Sequence, residues 1–147
     1  MMRLVRLLIV FLMLALSLGC SPSEPLAVSD AWVRATAPGQ EAGAAYMTLS
    51  SSEDLTLARV ESPAAGTVEI HMMSMEGDVM RMRMLENLPL KAGEPVQLEP
   101  GGYHFMLFDL KQPLESGATI PFTLHLQNAQ GKTFELAVDA PVRSAND

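Results

Sequence analysis

Through most of the chain, apolar and polar residues alternate with a period of two. In "FTLHLQN", residues 122–128, Phe122, Leu124 and Leu126 take turns with Thr123, His125 and Gln127. Such alternation marks a strand with one face on a core and the other in water. It predicts strands near 28–34, 44–50, 55–61, 67–75, 79–85, 95–98, 103–110, 120–127 and 133–138. Turn-forming clusters fall between them, among them Ala37-Pro38-Gly39, Ser62-Pro63, Glu76-Gly77-Asp78 and Pro100-Gly101-Gly102. Short strands at this spacing point to an all-β domain of about 120 residues, a Greek-key β-sandwich or barrel. By the same pattern Trp32 and Tyr46 belong to the core, and His125 is a solvent-facing strand residue.

The first nineteen residues break the pattern. Arg3 and Arg6 precede a Leu-rich, uncharged run from Leu7 to Gly19, too short for a permanent membrane span. The run ends in Leu16-Ser17-Leu18-Gly19-Cys20, which resembles a bacterial lipoprotein signal, although that family prefers Leu where Ser17 stands. The resemblance implies cleavage before Cys20, a lipid on its thiol, and a membrane-anchored protein of the periplasm. The expected organisation is therefore a signal peptide at 1–19, a tether at 20–26 and one β-domain at 27–147. Cys20 is the sole cysteine, so no intramolecular disulfide can support the fold. The whole chain has a formal charge of −7; without Arg3 and Arg6, eight Lys/Arg face seventeen Asp/Glu, near −9. That balance argues against nucleic acid as a partner, and against anionic lipid headgroups.

The unusual chemistry lies in "IHMMSMEGDVMRMRM", residues 70–84, with six methionines and one histidine. A hairpin turning at Glu76-Gly77 would set His71 opposite Met82 and Met73 opposite Met80. His71, Met73, Met75, Met80, Met82 and Met84 would then share one face. Downstream, in "PGGYHFMLFDL", His104 and Met106 are two apart on a predicted strand and share a face as well. Two imidazoles and two thioethers make a neutral, fairly soft donor set suited to Cu(I). Zinc more usually takes thiolate, imidazole or carboxylate.

The spacing His71-x10-Met82-x21-His104-x-Met106 resembles that of the periplasmic copper chaperones called PCu(A)C. The likeness continues through "DAWVRATAPGQEAGAAYMTL" at 30–49 and "LEPGGYHFMLFDLKQPLESG" at 98–117. It implies a cupredoxin-like barrel holding one Cu(I) through His71, Met82, His104 and Met106. It also implies delivery toward the Cu(A) centre of cytochrome c oxidase, received by the Cu(A) subunit or a Sco-type thiol protein. A monomer is expected. Some members carry a His/Met-rich tail, but this chain ends in "VRSAND", and no second site is expected there.

Other readings are weaker. Met73, Met75, Met80 and Met84 fit packing around the site better than direct ligation. Arg81 and Arg83 fit a solvated face. A blue-copper electron carrier needs a cysteine thiolate inside the domain, which this sequence lacks. No Gly-x-Ser-x-Gly and no paired carboxylates stand out, so an enzyme is not expected. The alternatives that stay open are a copper buffer or sensor without delivery to oxidase and, more distantly, a lipoprotein whose methionines absorb oxidants.

Overall fold

The computed structural model describes residues 24–144, which form ten strands and no helix. In chain order they are β1 (Leu26–Arg34), β2 (Ala42–Ser51), β3 (Leu55–Glu61), β4 (Thr67–Glu76) and β5 (Val79–Leu85). Then come β6 (Leu88–Leu90), β7 (Val96–Leu98), β8 (Tyr103–Phe108), β9 (Thr119–Asn128) and β10 (Thr133–Arg143). The signal segment, Cys20 and the first part of the tether lie outside the described residues.

Neighbouring strands run β4–β8–β2–β1–β10–β9–β3, and β3 returns to β4 through Val60 and Val68, closing a barrel. Most pairs are antiparallel; β1–β10 and β7–β8 are parallel. Closure removes most free edges. Two remain at the ends of the strand order, β5 beside β4 and β6 beside β3.

Alternation fills the inside. Val33, Ala45, Leu49, Leu57, Phe105, Leu107 and Leu124 are fully buried, and the rings of Phe105 and Phe122 stand 6.4 Å apart. Because Phe105 and Leu107 point inward on β8, His104 and Met106 must point outward. The same holds on β4, where Ile70 is the inward partner of Phe105 and His71 the outward partner of His104.

All nine predicted strands are present. Leu88–Leu90 adds a tenth, too short and too interrupted by Pro89 to read as a strand from sequence. One expectation needs revising. Asp30 has φ of 52°, and the β1–β2 register shifts between Ser29 and Trp32. This bulge moves the phase of β1 by one residue. Val33 therefore faces the core, and Trp32 pairs with Tyr46 on the outer side. Tyr46 is buried as expected, but it lies outside the main core cluster, with its ring 4.6 Å from that of Trp32.

Candidate metal centre

The β4–β5 hairpin turns at Gly77-Asp78, with Glu76 and Val79 as the last pair. Gly77 has φ of 64°, and a type II′ turn takes glycine at this first central position. That choice displaces the expected pairing by two residues. His71 faces Met84, Met73 faces Met82 and Met75 faces Met80. A shift of two preserves faces, so His71, Met73, Met75, Met80, Met82 and Met84 still share one side. Met82 is thus diagonal to His71 rather than opposite it.

The central pair is His71 and His104, directly opposed on β4 and β8 with ring centroids 5.7 Å apart. They continue an outer row that begins with Trp32 and Tyr46; the Tyr46 ring is 6.5 Å from His104. Phe108 closes the other side, 6.0 Å from His71. These rings leave His71 only 8% and His104 only 4% exposed, although both stand on the outside of the barrel.

Hydrogen bonds select the nitrogens. Glu69 Oε2 lies 2.7 Å from His71 Nε2 and can only accept, so Nε2 carries the proton. In the neutral ring the lone pair then falls on Nδ1, which is buried with no hydrogen-bond partner among the described residues. On His104 the order is reversed: Nδ1 donates to the Gly102 carbonyl at 3.1 Å, leaving the lone pair on Nε2. Burial, partly opposed by that carbonyl and reinforced by the nearby His71, holds His104 below its ordinary pKa of 6.5. Burial likewise raises the Tyr46 hydroxyl above 10.0, with Arg34 acting in the opposite sense. An orphaned buried imidazole nitrogen beside a second imidazole is the arrangement a metal would satisfy.

Met106 joins the face one step along β8, opposite Glu69 and Ala44. It borders a hollow of about 250 Å³ formed with Arg34, Gln40 and Ala42–Ala44. Met82 stands one rung beyond His71 and is half exposed. The structure sets His71 and His104 side by side, with Met106 one rung to one side of that pair and half-exposed Met82 one rung to the other, Met84 being nearer by register. Among the described residues, no three His, Cys, Asp or Glu side chains group as a metal site. The other side-chain donors on this face are the thioethers and the Glu69 carboxylate.

Sequence reasoning passed over Glu69, although its position two residues before His71 on a strand puts both on one face. His125 lies on the opposite wall, held by Glu61 at 2.6 Å and Glu135 at 3.1 Å. Arg81 and Arg83 occupy the far face of the hairpin, paired with Glu76.

Residues 26–140 match the model of the LpqE-like family, described as "Putative lipoprotein LpqE-like". The chain belongs to that family. The LpqE-like domain is 31% identical over 117 residues to "Putative lipoprotein Lxx21020" of Leifsonia xyli subsp. xyli, covering 79% of this chain and 69% of the relative. Among solved structures it is similar to apo-DR1885 from Deinococcus radiodurans, with 32% identity, a TM-score of 0.61, and coverage of 84% of this chain and 82% of that one. DR1885 has also been solved with Cu(I). A copper-bound PCuAC domain from PmoF2 shares the fold at a TM-score of 0.66, with 22% identity and coverage of 82% and 94%. The cupredoxin-like PCu(A)C barrel is therefore the fold of this LpqE-like chain.

Proposed function

We propose that this chain is a copper chaperone of the bacterial cell envelope. Its cargo is one Cu(I), held by His71, Met82, His104 and Met106. The observation that carries the reading is the buried Nδ1 of His71, without a hydrogen-bond partner among the described residues, on the strand directly across from His104. Cu(I) accepts two neutral imidazole nitrogens readily, and outward-facing thioethers complete the set without deprotonation. Glu69 adds a carboxylate behind the His71 ring, which orients that ring and offsets the charge of the ion.

A site on the barrel's outer face, with half-exposed methionine at its margin, suits transfer by ligand exchange. An incoming donor can replace Met82 while the histidines still hold the ion. The recipient we propose is the Cu(A) subunit of cytochrome c oxidase or a Sco-type thiol protein. The chain would work in the periplasm, anchored through a lipid on Cys20. Buffering without delivery predicts normal oxidase activity in a deletion strain, and delivery predicts its loss under copper limitation.

The direct test is anaerobic Cu(I) titration of the full chain in detergent against a chromogenic chelator. Wild type should take one tight equivalent. His104→Ala/Met106→Leu should lose it while its far-UV circular dichroism stays unchanged. Met82→Leu should weaken binding more than Met84→Leu. The reverse order would transfer the ligand role to Met84, the direct neighbour of His71.

A further inference from the structure

Every large hydrophobic side chain that is exposed among the described residues sits in the β4–β5 hairpin. They are Met75, Val79, Met80, Met82 and Met84, each more than half exposed. Met47, by contrast, is 1% exposed in the core. Met75, Met80, Met82 and Met84 share one face, where a solvated hairpin would ordinarily carry Thr, Lys or Glu, while Val79 lies on the other beside the turn; contiguous apolar exposure marks a surface that binds something.

Cross-strand pairing resolves this face into rungs. Met75–Met80 lies next to the turn, Met73–Met82 follows, and His71–Met84 is third. Opposed Cα atoms lie roughly 4.5–5.5 Å apart, and rungs on one face repeat about every 6.8 Å. Unbranched thioether side chains can converge over such distances. Arg81 and Arg83 lie on the reverse face, where they engage Glu76. The two rungs nearest the turn are left with neutral sulfur donors on the methionine side, the Glu69 carboxylate lying beyond His71.

We propose that Met75, Met80 and Met73 form a second, outer site for Cu(I), which passes the ion along the rungs to the histidine pair. The relay, though not the outer site itself, rests on the reading of His71 and His104 as copper ligands. Three thioethers form a soft, proton-independent set, weaker than one containing imidazole. Their exposure lets them meet an ion, or a partner's ligand, before the buried histidines do. Met82 stands in the rung between and belongs to both ends of the path. Each step is ligand exchange: a Cu–S bond breaks as another Cu–S bond forms, or a Cu–N bond at the histidines, with no electron or proton transferred.

The test uses the full chain in detergent with 13C-labelled methionine methyls, titrated with Ag(I) as a redox-inert probe and then anaerobically with Cu(I). The first equivalent should shift Met82 and Met106, and the second should shift Met73, Met75 and Met80. Met75→Leu/Met80→Leu conserves volume and should abolish the second event while leaving the first within about twofold. Met75 and Met80 methyls unmoved through two equivalents would overturn the proposal, as would a second event that survives the double variant. Methyls indifferent to metal but shifted by an added recipient protein would instead make the face a docking surface. If only the first equivalent binds, this inference alone fails; if neither binds, the copper reading fails with it.

Discussion

Glu69 and the Gly102 carbonyl decide which nitrogen each histidine offers. Partners behind metal-binding histidines typically contribute about 10–100-fold in metal affinity. Glu69→Ala should therefore weaken Cu(I) binding by roughly that factor in chelator competition. An unchanged affinity would reduce the 2.7 Å contact to a surface ion pair. His104 supplies a pH prediction. Its folded pKa lies below the unfolded value near 6.5, so above that value both states are neutral and it adds no pH dependence. As pH falls below 6.5 the unfolded chain takes up the proton first, and stability drops until the folded pKa is reached. Denaturant midpoints should fall more between pH 7 and pH 5.5 in wild type than in His104→Gln, and an NMR titration of His104 should have its midpoint below 6.5. At this scale the spacing of His71, Met82, His104 and Met106 was legible in the sequence. The tautomers were not, because they depend on which acceptor the fold places behind each ring.

For strands, period two determines faces but leaves register to the turn. The methionine face was therefore readable, and the partner of His71 was not. One glycine made the difference: the turn places Gly77 first, and the whole ladder moves by two. Gly77→Ala tests this economically. An added Cβ would meet nothing within 4 Å, so its cost is purely that of the positive φ, on the order of 1–2 kcal/mol. A lowered thermal midpoint with the β4–β5 register intact in amide NMR is the expected result. The bulge at Asp30 is the matching case on β1. Leu26, Val28 and Trp32 share a parity that reads as one inward stripe, and only the positive φ at Asp30 turns Trp32 out. Trp32 and Tyr46 consequently wall the histidines, a role that alternation alone could not assign.

Over the whole molecule, the all-β barrel was legible because nearly every strand keeps its alternation and every long connection carries turn residues. Closure was harder to read, since it depends on a single pairing between Val60 and Val68. A closed barrel explains how two histidines can be buried on an outside surface: curvature and a row of aromatic rings cover them without placing them in the core.

The wall also ends abruptly at β5, whose outer edge has no neighbouring strand among the described residues to pair its backbone donors and acceptors. Two copies meeting antiparallel, edge to edge around Met82, would bring Arg81 of each against Arg83 of the other. Like charges directly opposed across a ladder are unfavourable. The arginines thus guard a sticky, methionine-rich ribbon against self-assembly, and Glu76 holds them in place. Arg81→Thr/Arg83→Thr should raise the sedimentation coefficient with protein concentration, where wild type stays constant. The same ribbon that exposes sulfur to its cargo would then have to be kept soluble by two charges on its reverse side.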